Sequence, residues 1–157
     1  MAAAYELDRI DRRIVAALQA DGRLTNQALS EQVALSPSAC LARVRRLENA
    51  GVIQGYHARL DPFMVDVGIV LFAEVTLKAH AAEDLARFDA AIAEIPQIVE
   101  ASHVSGDYDY LLKVVVAKLD DWTRIGGELT EVGADRLNTH VLLRKPKIFV
   151  GYPVRIR

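Results

Sequence analysis

Three short stretches of helical spacing open the chain, and a different hydrophobic pattern takes over near residue 68. Asp8 precedes a run in which Ile10, Ile14, Ala17 and Leu18 form one face to about Asp21, with Gly22 just beyond. Thr25 precedes a shorter run carrying Ala28, Leu29 and Val33, and only Ala34 and Leu35 then separate it from Ser36. In the third run Pro37 takes the first helical position, where its missing N–H has no intrahelical partner to lose. Cys40, Val44 and Leu47 follow on one face, while Ser38, Ala42, Arg45 and Arg46 point roughly the other way. Asp8, Thr25 and Ser36 each carry a side-chain oxygen that can accept from a free N–H of the first turn. Three short helices, the last two joined by a very tight turn, describe a helix-turn-helix unit. Gly51 ends it and leads into a short extended segment over residues 52–58.

From residue 68 the grammar is that of a sheet with helices. Residues 68–78 are apolar and β-branched, with Phe72, Glu74, Thr76 and Lys78 in alternation, and predict a strand. Leu85, Phe88, Ile92 and Ile95 make one apolar stripe of a helix over 81–95, ended by Pro96. Residues 97–105 read as a strand, Gly106-Asp107 as a turn, and 108–117 as a strongly apolar strand. Asp120 can cap a helix to about Val132, weakened by Gly126-Gly127; 135–145 reads as a strand and 148–156 as one more. The order β-α-β-β-α-β predicts a ferredoxin-like sandwich with both helices on one sheet face. The fold class is therefore α+β: a three-helix winged helix-turn-helix domain over 1–51, a linker with a short strand over 52–67, and the βαββαβ sandwich over 68–157. Valines and leucines on both faces of 111–116 predict that the other sheet face is covered by a second subunit.

Charge sharpens this division. The chain of 157 residues has a net charge of −2, which by itself argues against a nucleic-acid partner. Residues 1–60, however, carry eight arginines against six acidic residues, while 61–157 carry eleven basic against fifteen acidic. Arg43, Arg45 and Arg46 cluster on the third helix, so the basic module is the one that has to meet double-stranded DNA. Its excess is small, and dimerisation would double the phosphate contacts. Small residues early in that helix allow close approach to base edges, and guanidinium groups reach guanine or phosphate. Ser38, Ala42 and Arg45 are the candidates for base edges; Arg43, Arg46, Ser36 and Arg23, with Asn26, are the candidates for phosphates. An amphipathic helix with a solvated basic face is the alternative.

The remaining chemistry is sparse. No apolar run reaches membrane-spanning length and no signal peptide is evident, so a cytoplasmic protein is expected. The single cysteine, Cys40, reads as a small buried hydrophobe, and His57, His80, His103 and His140 are scattered without metal-ligand spacing. There is no nucleophile-base constellation, hence no catalytic residues. At the second-domain turn, Gly106 permits close backbone approach, consecutive N–H groups can hold a carboxylate, and Asp107 and Asp109 offer charge to an ammonium group. A plain hairpin turn accounts for the same residues.

Several motifs resemble the Lrp/AsnC, or feast/famine, family of transcription regulators across nearly the whole chain. They are Leu7-Asp8-Arg9-Ile10-Asp11, Asp21-Gly22-Arg23-Leu24-Thr25-Asn26, Leu35-Ser36-Pro37-Ser38-Ala39-Cys40, Gly51-Val52-Ile53-Gln54-Gly55-Tyr56 and Val104-Ser105-Gly106-Asp107-Tyr108-Asp109-Tyr110-Leu111-Leu112. The resemblance implies a linker strand near 52–59, dimers formed through the second domain's sheet, and further assembly to tetramers or octamers. It also implies an amino-acid effector, or a related metabolite, bound between dimers around the Gly106 turn. Carried over residue by residue, it puts Val104, Ser105, Gly106, Asp107, Asp109, Leu119, His140, Val141 and Leu142 near that effector. The chain departs from the pattern before His140: Gly133-Ala134-Asp135 is one residue short, and His140 stands where an aromatic is expected. Two alternatives share the architecture: an enzyme of the sirohaem decarboxylase type, and a metabolite-sensing module without DNA binding.

Overall fold

A computed structural model describes residues 5–61, 64–65 and 68–155, and divides the chain into two compact units. The first contains 1–59 together with 147–157, and the second contains 60–146. Residues 147–155, grouped with the second domain on sequence grounds, thus pack with the first.

In the first unit α1 spans Arg9–Ala20, α2 Asn26–Val33 and α3 Pro37–Asn49. Each begins at the residue whose side chain can cap it. Asp8 accepts from the Asp11 N–H at 2.8 Å, Thr25 from Ala28 at 3.2 Å and Ser36 from Ala39 at 3.3 Å. The α2–α3 turn is closed by Ala34 in the left-handed conformation (φ 59°, ψ 52°), a strained choice for a residue with a Cβ. Ile14, Leu29, Val33, Cys40 and Leu47 form the buried core of the three helices.

The expected strands at 52–59 and 148–156 do not form among the described residues. The Val52 and Ile53 N–H groups turn back to the Leu47 carbonyl and finish α3. The tail is held by a side chain instead of a strand. Gln19 donates to the Tyr152 carbonyl at 3.1 Å and accepts from its N–H at 2.6 Å. Gly151 (φ 123°) makes that approach feasible, since a Cβ there would lie 2.6 Å from the Gln19 amide oxygen. Pro146 and Pro153 supply no N–H for a ladder. Residue 156 and part of the linker, 62–63 and 66–67, lie outside the described residues.

The second unit is the expected sandwich. Its elements are β1 Ile69–Leu77, α4 Ala82–Ala93, β2 Ile98–His103, β3 Tyr110–Val116, α5 Leu119–Glu131 and β4 Ala134–Val141. The sheet is antiparallel with order β2-β3-β1-β4. Leu71, Ala73, Val75 and Leu77 alternate with Tyr110, Leu112, Val114 and Val116 from β3 to floor a core closed by Phe88, Ile92, Ile125 and Leu129 of the helices. The opposite face carries Phe72, Glu74 and Thr76 of β1 and Leu111, Lys113 and Val115 of β3, all half-buried. Asp120 is not the α5 cap: the N-cap is Lys118, two residues earlier, and Asp121 accepts from the Lys118 N–H. β4 stops at Val141, short of the expected 145, because β1 begins at Ile69 and its last bond to this strand is Leu142 N–H to the Val70 carbonyl.

Candidate functional site

The α3 surface separates its arginines into two kinds. Ser38, Ala42 and Arg45 are exposed on the side away from Cys40 and Leu47, and the Arg45 guanidinium has no partner among the described residues. Arg43 and Arg46 lie on the flank facing α1. The Arg43 Nη1 donates to Asp8 at 2.5 Å and Asp11 at 2.8 Å, and the Arg46 Nη2 donates to both Asp11 oxygens at 2.8 and 3.0 Å. Asp11 is only 1% exposed. Two cations and two carboxylates therefore form a neutral cluster that ties α3 to α1. The Arg43 guanidinium, followed by the Asp11 N–H, holds the Asp8 carboxyl below its ordinary range, and Asp8 and Asp11 raise the Arg43 value.

The other DNA candidates stand as follows. Ser36 is occupied by its cap and by a 3.2 Å contact with Ser38 Oγ. Asn26 donates from Nδ2 to the Pro37 carbonyl at 2.8 Å, bracing α2 against the start of α3. The Arg23 side chain is exposed, while its N–H donates to Asp21 at 2.9 Å.

In the second unit, the nine effector candidates fall at two ends of the sheet. Val104, Ser105, Gly106, Asp107 and Asp109 make up the β2–β3 turn, beside Leu77 at the end of β1. Leu119 opens α5 just after β3, and Val141 pairs with Leu71 near the start of β1, adjoining His140 and Leu142. Leu71 and Leu77 are separated by about 20 Å of extended chain. One protomer does not bring the two groups together.

Asp109 faces inward rather than into the turn. It accepts from the Leu77 N–H at 2.7 Å and contacts His80 Nε2 at 3.0 Å. Burial pushes its carboxyl up, but the Leu77 N–H and His80 outweigh this and leave it below the ordinary value. At the open end of the turn, Gly106 (φ 139°) has nothing within 4 Å of where a Cβ would stand. Arg136, which the sequence did not single out, reaches over Thr76 to this turn; its Nη2 lies 3.4 Å from both Thr76 Oγ1 and the Asp107 carbonyl. Only the pairing Thr76↔Arg136 across β1 and β4 brings it there, so no local signal marks it. His140 contacts Glu74 on the open sheet face at 3.2 Å, and Glu74 also accepts from Asn138 at 3.0 Å. A cavity of about 1080 Å³ belongs to neither site; it lies in the first unit between α1, the linker and the tail, lined by Leu18, Val52, Tyr56, Phe149 and Tyr152 among others.

A three-helix unit presenting one helix, joined to a helix-backed sheet with an open polar turn, defines a DNA-binding regulator with a small-molecule-sensing domain. Comparison with known proteins gives the same two parts. Residues 7–54 match a winged helix-turn-helix DNA-binding model, and 70–150 match the Lrp/AsnC ligand-binding domain. The chain belongs to the Lrp/AsnC family of transcriptional regulators. It is 44% identical over 144 residues to the leucine-responsive regulatory protein of Salmonella typhimurium, covering 90% of this chain and 88% of that one. The corresponding protein of Escherichia coli is 43% identical over the same length. Among solved structures, a Neisseria meningitidis transcriptional regulator in complex with L-methionine superposes with TM-score 0.85 at 33% identity, over 94% of this chain and 97% of that one. The leucine response regulatory protein of Mycobacterium tuberculosis does so with TM-score 0.81 at 30% identity, over 95% and 100%.

Proposed function

We propose that this regulator reads DNA as an oligomer and that an amino acid bound between copies sets its assembly. The observation that carries the reading is the split of the effector candidates between opposite ends of one sheet. A site containing both groups needs a second protomer, so occupancy and association are linked. The half-buried apolar and charged residues on the open sheet face, and the exposed Tyr56, Phe149 and Tyr152 of linker and tail, are surfaces on which copies meet. The Neisseria relative's L-methionine supports a free amino acid as effector.

On DNA, Ser38, Ala42 and Arg45 face base edges, and Arg23 with the outer side of Arg46 meets phosphates. Arg43 acts through α1, holding the helix at its angle, and Asn26 and Ser36 brace its start. Asp109 holds the effector turn in shape rather than touching ligand. The reading assigns no catalytic step and a cytoplasmic location. Among the described residues no helix is long and apolar enough to cross a membrane, and no cluster of histidine, cysteine or carboxylate fits a metal.

Sedimentation velocity tests the assembly. Dimers or larger species, redistributed by one of the twenty L-amino acids, are expected. A monomer at micromolar concentration, with or without amino acids, would overturn the proposal.

A further inference from the structure

Leu41 stands exposed on α3 without serving the fold. It is 39% exposed, and among the described residues of α1, α2 and α3 no other large apolar side chain is exposed. The core of the first unit is made by Ile14, Leu29, Val33, Cys40 and Leu47, with Val44 packed against it, and Leu41 is not part of it. Nor does the helix need a leucine here, since glutamine, lysine or arginine would form it as well. What sets the residue apart is its position. Counted at about 100° per residue, Leu41 lies about 100° around α3 from Cys40, with Arg45 at about 140° and Ser38 at about 160°. Three residues after Ser38 and four before Arg45, it shares their face, on the flank opposite Arg43 and Arg46, which bond to α1. Ser38 and Ala42 are short, so Leu41 is the longest apolar group on the face that carries Arg45. Glu48, two turns further along that flank, engages the Tyr56 hydroxyl at 3.1 Å.

We infer that Leu41 reads the C5-methyl group of a thymine in the major groove and sets base preference together with Arg45. This rests on the reading of α3 as the helix that enters the groove. The base edges there present hydrogen-bond donors and acceptors and a single apolar group, the thymine methyl. A leucine on this face has no other base feature to recognise. The helix rises about 1.5 Å per residue, so Leu41 and Arg45 are about 6 Å apart along its axis, against about 3.4 Å for a base step. The thymine accordingly lies one or two base pairs from the base that Arg45 contacts. Burying one methyl-sized group is worth ~4-fold in affinity. Because no phosphate is neutralised, this contribution does not depend on salt, unlike that of an arginine on the backbone.

The test uses the full chain and a duplex selected by it from a random-sequence pool. Each thymine of that duplex is replaced in turn by deoxyuridine, which removes the methyl group and keeps the base pair. Fluorescence anisotropy should show wild type losing ~4-fold in affinity at one such position, one or two base pairs from the position where Arg45→Ala relaxes preference. Leu41→Ala and Leu41→Gln should bind the thymine duplex ~4-fold more weakly, no longer distinguish the two bases there, and keep the wild-type salt slope and helical circular dichroism. Leu41→Met, still apolar, should retain part of the discrimination. Indifference of wild type to deoxyuridine at every position, or an unchanged penalty in Leu41→Ala, would overturn the inference while leaving DNA binding intact. A change in sedimentation with discrimination unaltered would place Leu41 against another copy of the chain and overturn it equally. A pool from which no sequence is enriched would overturn base reading by α3 and this inference together.

Discussion

Asp11 is the carboxylate on which the placement of the recognition helix depends, and replacing it by alanine makes that dependence measurable. The change removes the acceptor for Arg43 at 2.8 Å and for Arg46 at 2.8 and 3.0 Å, at a site 1% exposed. Breaking a buried ion pair from one side costs about 3–5 kcal/mol when the stranded charge stays dry. Here the arginine side chains are 26% and 51% exposed, so water reaches them once they are released. The expected cost is therefore lower, about 2 kcal/mol. For a unit of this size that corresponds to a fall in Tm of roughly 10 °C. The chain's one tryptophan, Trp122, lies in α5 of the second unit. Its fluorescence should melt as in wild type while the helical circular dichroism of the first unit melts early. Combining Asp11→Ala with Arg43→Ala should show a coupling of about 1 kcal/mol or more. A loss below about 0.5 kcal/mol, or additive single changes, would refute the idea that these groups lock α3 to α1.

Other expected outcomes concern separate parts of the molecule. Arg45→Ala should weaken specific DNA binding by about 1–3 kcal/mol and relax preference at one base position with Tm unchanged; a fluorescence-anisotropy series on mutated sites checks this, and uniform weakening on every sequence would make Arg45 a phosphate contact. Ala34→Gly should raise stability by up to about 1 kcal/mol in urea titration, because it relieves a left-handed alanine; destabilisation would mean that chain entropy outweighs the strain. Burial and the neighbouring Asp89, whose carboxylate accepts from the Tyr110 hydroxyl at 2.8 Å, push the Tyr110 phenol up to about 12. The folded value lies above the unfolded one, so this contribution is intact below about pH 10 and is lost as pH rises toward 12. Ultraviolet titration should find Tyr110 ionising last of the five tyrosines, and ionisation with the others would contradict its burial. Asp109 works in the opposite sense. Its lowered folded value stabilises the second unit above the ordinary carboxylate range and is lost as pH falls through it, so Asp109→Asn should flatten the acid limb of a Trp122 denaturation profile.

Much of the architecture was legible because its signals are local. Asp8, Thr25 and Ser36 mark helix starts through one side-chain oxygen each, and the stripes of Leu85, Phe88 and Ile92 or of Cys40, Val44 and Leu47 repeat at the spacing of a helix. Gly106-Asp107 likewise announces its own turn. What was not legible depends on which element lies alongside which. Arg43 sits about 60° from Cys40 around α3, at the border between core and solvent, and only the approach of Asp8 and Asp11 on α1 decides that it turns inward. Asp109 reads as a candidate ligand contact until Leu77 is seen to occupy it, and Arg136 reads as one more strand arginine until its register against Thr76 is known. The tail at 148–156 has the β-branched and aromatic residues of a strand, yet in the first unit a glutamine side chain replaces the strand partner it lacks. The family motifs pointed to the Gly106 turn as a candidate effector site, but they did not reveal that the candidate residues sit at opposite ends of a single sheet.

The most direct test is an electrophoretic shift with the full chain on DNA upstream of its own gene and neighbouring genes, with each of the twenty amino acids added in turn. The account predicts a sequence-specific shift at moderate salt whose affinity or mobility changes with one or a few amino acids. No shift on any fragment at low salt, or a shift that none of the twenty alters, would contradict an amino-acid-responsive regulator.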